Sequence, residues 1–332
     1  MRLPPKITTL LLIGSVLFLA AHQPQPIPPG HKLLITSVRT GNTDVFWIDP
    51  ATGDAFNITK APASEERYPA WSPDGKRVVF TSNRNTPPGT EAYNLYVANA
   101  DGSSLEQLTF EKGNAVCYFT SWAGPHIYFG LDRANGKPAL ICRIDPDGKN
   151  FTEIAEARDP NVSPDGKKIA YTERVGKGFC VFVMDADGKN RRQLTTHEDE
   201  IGAVTPVWSP DGKRISYSDQ VGEALELFVC DADGKNQKQL TKLGKVASSS
   251  AWSPDGKFIT FRVTDEAYWR NADLKDKAYK EKLAAKRPVW IMNADGSDPR
   301  IVEVLQYQSA IDGSRPVWQP QRMLPQRTLP RR

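Results

Sequence analysis

The chain has 332 residues, 39% of them hydrophobic and 25% charged, with a formal net charge of +4. That composition excludes a disordered chain and a collagen, and 26 Pro with 24 Gly favour many short elements over long helices. Length alone predicts about two domains, at roughly 150 residues each.

Residues 1–21 read as an export signal. Arg2 and Lys6 supply the positive start, Ile7 to Ala21 form an uncharged apolar run of 15, and Leu19-Ala20-Ala21 offers a cleavage site before His22. The run is shorter than the roughly 20 residues of a bilayer span, so cleavage is expected and the membrane is met only through an uncleaved signal. With no Cys near its end, a lipid anchor is not expected. Residues 22–30, including Gln23-Pro24-Gln25-Pro26-Ile27-Pro28-Pro29-Gly30, predict a stiff linker.

From His31 onward the chain repeats. Trp71-Ser72-Pro73-Asp74-Gly75 returns as Trp208 to Gly212, with Asp211, and as Trp252 to Gly256, with Asp255. Val162-Ser163-Pro164-Asp165-Gly166 lacks the Trp, while Ser121-Trp122-Ala123-Gly124-Pro125 and Val317-Trp318-Gln319-Pro320 are degenerate copies. The Trp-equivalent positions are 51, 40, 46, 44 and 66 residues apart. A second marker also occurs six times: Asp49 to Gly53, Asn99 to Gly102, Asp145 to Gly148, Asp185 to Gly188, Asp231 to Gly234 and Asn293 to Gly296. A third is Ile58-Thr59, Leu108-Thr109, Ile154-Ala155, Leu194-Thr195, Leu240-Thr241 and Ile301-Val302.

Strand-like runs such as Arg77–Thr81, Asn94–Val97 and Gln107–Thr109 lie between the markers, so each unit predicts four strands. Ser-Pro-Asp-Gly makes a tight turn, because Pro fixes φ at the first central position and Gly accepts the left-handed conformation. Four-stranded units at this period predict an all-β, six-bladed β-propeller over residues 31–320. The recurring Trp is expected to pack between adjacent blades. Copies spread around a ring are not expected to serve one site.

The first run, Leu33–Ser37, matches the second strand of a unit, and Arg315–Trp318 matches the first. One blade is therefore expected to combine both ends of the chain, closing the ring and removing an open edge. Residues 321–332 carry four Arg, two Pro and no acid, and predict a disordered basic tail. Without the positive charges of signal and tail, the body between carries a net charge of −2, so no acidic partner is implied.

The Trp-Ser-Pro-Asp-Gly-Lys core, followed by a strand and an Asp-Ala-Asp-Gly turn, resembles the WD40-like repeat of the TolB family. The same repeat occurs in the propellers of prolyl oligopeptidase relatives and in oligogalacturonate lyases. The resemblance covers about residues 31–320 and implies the propeller fold. Its matching residues are turn and packing residues, which leaves function open. Only nine residues separate Ala21 from His31, where TolB itself carries an α/β domain.

Both short Asp-Gly turns of a unit must emerge on one face, leaving the variable segments on the other. Function is expected on that loop-rich face. Its candidates are Glu66, Arg67 and Tyr68, then His197 and Glu200, and Tyr268, Trp269 and Arg270 beside a 265–287 insertion with a basic helix from near Asp273.

No Gly-x-Ser-x-Gly turn occurs, which rejects peptidase activity, and four His are too few for a His-rich metal centre. Cys117 and Cys142 fall on first and third strands, about 9.5 Å apart where a disulfide needs under about 7 Å. Four buried thiols are expected, with Cys180 and Cys230. The expectation is an exported, periplasmic or secreted, monomeric scaffold. It needs no cofactor or metal and binds an envelope protein, a peptide or a glycan, with no nucleic-acid partner. The alternative is a lyase-like enzyme acting on a polysaccharide, with a metal or carboxylate site at the channel mouth.

Overall fold

Each Ser-Pro-Asp-Gly unit closes a hairpin, and four successive strands form a meander. The computed structural model describes residues 26–27, 30–87, 89–197, 201–264, 288–302 and 314–320. These are all-β. The first strands are β1 (Leu33–Ser37), β2 (Asp44–Ile48) and β3 (Ala55–Asn57), followed by β4 (Glu66–Trp71), β5 (Arg77–Ser82), β6 (Asn94–Asn99) and β7 (Glu106–Gln107). Next come β8 (Val116–Ala123), β9 (His126–Asp132), β10 (Leu140–Ile144) and β11 (Thr152–Glu156). They precede β12 (Arg158–Val162), β13 (Lys168–Val175), β14 (Gly178–Asp185) and β15 (Arg192–Gln193). The rest are β16 (Val204–Trp208), β17 (Arg214–Val221), β18 (Ala224–Asp231), β19 (Lys238–Gln239), β20 (Val246–Trp252), β21 (Phe258–Thr264), β22 (Val289–Asn293), β23 (Arg300–Ile301) and β24 (Val317–Trp318).

They pair as four-stranded antiparallel propeller sheets in chain order, with two exceptions. One sheet runs β24-β1-β2-β3 and so joins both ends of the described chain. The β16–β19 and β20–β23 meanders are also linked by a parallel bridge between Leu225 and Val246.

The turn marker has one geometry in its four full copies. The Ser72 hydroxyl donates to Asp74 Oδ1 at 2.6 Å and accepts from Arg77 N at 2.9 Å, and Gly75 adopts φ 66°. Ser163, Ser209 and Ser253 repeat both bonds. The third marker caps the third strand of its sheet. The hydroxyls of Thr59, Thr109, Thr195 and Thr241 accept from the backbone N–H of Val45, Leu95, Val181 and Leu227 at 2.9–3.0 Å.

Aromatic pairs face each other across the second and third strands. Phe80 and Tyr96, Tyr171 and Phe182, and Tyr217 and Phe228 stack at 5.6–6.1 Å between ring centroids, each stabilising by about 0.5–1.5 kcal/mol beyond area burial. The core is divided among six apolar clusters that join neighbouring sheets. Leu34 and Val45 pack with Trp71 and Phe80, for example, and Leu33 and Ile35 pack with Phe258 and Ile291. Cys117, Cys142, Cys180 and Cys230 are all free thiols and buried.

Candidate functional site

The first strand of every sheet, which ends on the Trp marker, lines a common space. A cavity of about 780 Å³ is walled by Trp71, Trp122, Trp208, Trp252 and Trp318, with Val162 standing in the copy that lacks Trp. Pro73, Pro164, Pro210, Pro254 and Pro320 form its rim, so it opens at the end of the molecule that carries the Ser-Pro-Asp-Gly turns. The size suits a small ligand or a short peptide segment.

Trp copies spread along the chain thus border one cavity, a convergence the sequence did not lead us to expect. The indoles do pack between sheets, with Trp252 Nε1 donating to Ser216 Oγ at 3.0 Å and Trp318 Nε1 to Thr260 Oγ1 at 3.1 Å. Arg77 and Arg214 lie over the rings of Trp122 and Trp252. Because all the strands that carry them converge, their inner edges also meet around one space.

Below the indoles the wall becomes polar, with Thr120, Ser121, Asn161 and Arg315. Three residues before each Trp position stands Tyr68, Phe119, Asp159, Thr205, Ser249 or Arg315. The first five share a left-handed backbone, with φ between 47° and 55°. Each sits at a register shift in its strand pair, the mark of a β-bulge. Such conformations cost about 1–3 kcal/mol each in a non-glycine residue. Their recurrence at one level of five strands makes a strained belt.

The belt residues meet one another. Tyr68 and Phe119 have ring centroids 5.0 Å apart, and the Arg315 guanidinium lies over Phe119 at 5.2 Å. The Asp159 carboxylate takes a hydrogen bond from the Thr205 backbone. Burial pushes the Asp159 carboxyl up against the opposing pull of Arg158 and Arg315. Burial brings Arg315 down to about 10, with Asp159 and Tyr68 pulling it back up, so it keeps its charge at neutral pH. Arg315 is 6% exposed, and neither Nη1 nor Nη2 has a hydrogen-bond partner among the described residues.

The candidates expected on the loop-rich face are placed differently from one another. Glu66 is fully buried and accepts from Ser64 Oγ at 2.6 Å, Ser82 Oγ at 2.8 Å and Arg84 Nη2 at 3.0 Å. It pins a loop and is not a mouth residue, because three donors surround it. Arg67 pairs with Glu65 at 2.5 Å and covers Tyr93, and Tyr68 belongs to the belt. His197 Nε2 lies 2.5 Å from Asp219 Oδ1. Glu200, Tyr268, Trp269, Arg270 and the whole 265–287 insertion lie outside the described residues, as do residues 1–21 and 321–332. Among the described residues, no group of three His, Cys, Asp or Glu is placed to hold a metal ion.

Sequence reasoning missed Asp159, Asn161 and Arg315. The signal available was their fixed offset from the repeating Trp positions.

A model of the TolB beta propeller domain matches residues 19–202 and 127–267. The Tol-Pal system protein TolB of Francisella tularensis subsp. mediasiatica is 24% identical over 160 residues, which are 47% of this chain and 36% of that protein. The chain thus aligns with little more than a third of the curated relatives it matches. The structure of a putative TolB from Agrobacterium tumefaciens is similar with a TM-score of 0.64, at 19% identity over 88% of this chain and 95% of that one. TolB from Acinetobacter baumannii gives 0.65, at 17% identity over 88% and 66%.

Proposed function

The chain belongs to the TolB β-propeller domain family, and on that premise we propose that it is a non-catalytic binding scaffold that takes a peptide segment of a protein partner into its central cavity. The observation that carries this reading is that every first strand contributes to one cavity, with an apolar wall and a polar floor. Binding pockets have that make-up, with apolar walls for affinity and a few polar groups for orientation.

We further infer that the sheets close one ring of six blades spanning residues 31–320. Three observations support closure: the β24-β1 pairing, the bond from Gln319 N to Lys32 O at 2.8 Å, and the apolar cluster between the β20–β23 and β24-β1-β2-β3 sheets. The apolar run before His22 supports export to the periplasm or outside the cell. Relatives named for the Tol-Pal system favour a protein of the cell envelope over a glycan as partner.

Affinity capture from an envelope fraction tests the reading. The cavity-filling variant Ala70→Trp should lose the protein that the wild type retains, while a chain lacking residues 265–287 keeps it. The reverse pattern moves the site to the loop-rich face.

A further inference from the structure

The cavity floor holds a guanidinium whose hydrogen-bonding capacity is unused. Arg315 lines the cavity and is 6% exposed. Among the described residues, its Nη1 and Nη2 donate no hydrogen bond, although both are buried. A buried charged donor left without an acceptor is costly, and such a group persists where something else stabilises it or uses it. Phe119 supports it from one side, with the guanidinium carbon 5.2 Å from the ring centre. Asp159 attracts it without accepting a bond from either Nη.

Asp159 is shared between two guanidinium groups, Arg158 and Arg315, and Asp132 acts on Arg158 as well. The other polar groups of the floor are already engaged. Thr120 Oγ1 donates to Tyr68 O, Ser121 Oγ accepts from Val162 N at 3.1 Å, and Asn161 Oδ1 accepts from Trp208 N at 2.8 Å. The charged free donors on this floor therefore belong to Arg315, and the wall above it is proline and indole, where Trp208 Nε1 is a further, neutral donor without a partner among the described residues.

We propose that Arg315 is the receptor for a carboxylate of the bound peptide, which enters past the proline rim with an apolar or aromatic side chain against the Trp wall. A carboxylate matches the two free Nη groups in the planar, two-pronged geometry that guanidinium prefers. The carboxylate is either the peptide's C-terminus or an Asp or Glu side chain. This inference rests on the cavity being the binding site.

Three small probes test it by calorimetry on the full chain: N-acetylphenylalanine, its uncharged primary amide, and the amide of N-acetyl-aspartyl-phenylalanine. A probe that carries the recognised carboxylate should bind about tenfold or more tightly than the uncharged amide. Tighter binding of the third probe than of the simple amide assigns the carboxylate to a side chain, and equal binding of those two assigns it to a C-terminus. Arg315→Gln should remove the preference, bringing the charged probe down to about the affinity of the amide. Where that variant does not fold, Asp159→Asn replaces it, and removal of the competing carboxylate should tighten the charged probe alone. Equal binding of all three probes to the wild type, or a preference that survives Arg315→Gln, overturns the carboxylate role while the cavity reading stands. Failure of all three probes to bind overturns both.

Discussion

Gly102 stands so close to Ile58 of the neighbouring sheet that a Cβ on it would lie 2.4 Å from the Ile58 carbonyl oxygen. Gly188 against Ile154 and Gly296 against Leu240 repeat the contact at 3.0 and 2.8 Å. The second and third sequence markers are thus two sides of one joint between adjacent sheets. Gly102 also has φ 83°. Gly102→Ala is expected to cost about 2–4 kcal/mol. Gly136→Ala, at φ 78° with nothing within 4 Å, should cost only about 1 kcal/mol. Urea midpoints of the two variants check the difference, and equal midpoints would refute the joint.

The Ser-Pro-Asp-Gly turns make stability depend on acid. The Ser72 hydroxyl, with the Lys76 N–H, holds the Asp74 carboxyl below its usual range, and Ser163 with Lys167 does the same for Asp165. A carboxyl whose folded value lies below its unfolded one stabilises fully above the unfolded value, about 3.9, and loses that contribution as pH falls through the folded value. Urea midpoints should decline from about pH 4 downward. The double variant Ser72→Ala, Ser163→Ala should start lower at pH 7 and decline less steeply over that window, whereas parallel curves would show that the hydroxyls do not set the shift.

Burial pushes the Cys117 and Cys230 thiols up to about 12, and Cys142 further up by the same cause. Since thiolate is the reactive form, a disulfide-exchange reagent at pH 8 should leave the native protein untouched. It should titrate four thiols once the chain is unfolded. Rapid reaction of the native protein would place these side chains at the surface.

Loss of the last strand should unravel the propeller. Residues 314–320 hold other parts of the chain through Arg262 Nε to Ser314 O at 2.7 Å, Trp71 Nε1 to Val317 O at 3.2 Å and the β1 pairing. A chain ending before Ser314 should aggregate or lose cooperative unfolding, and one ending at Pro320 should melt as the full chain does. A monomeric, cooperatively folded short form would contradict ring closure.

The fold was legible because its markers are local. Pro73 and Gly75 fix a turn within five residues, and the Ile58-Gly102 joint leaves two short motifs that recur. The site was harder to read. Tyr68, Phe119, Asp159, Thr205, Ser249 and Arg315 share a structural position without sharing chemistry, so no repeat search groups them. Their meeting depends on strands as far apart as β4 and β24 converging. Glu66 misled for the opposite reason. Beside Glu65 and Arg67 it reads as surface charge, yet Ser64, Ser82 and Arg84 enclose it.

The most direct measurement of the central claim is the indole N–H spectrum of the nitrogen-15-labelled protein during titration with N-acetylphenylalanine. Binding in the central cavity predicts shifts of Trp71, Trp122, Trp208, Trp252 and Trp318, with Trp47, which stacks on Phe56 away from the cavity, left in place. Shifts confined to Trp47, or absent from all five cavity indoles at saturation, would contradict it.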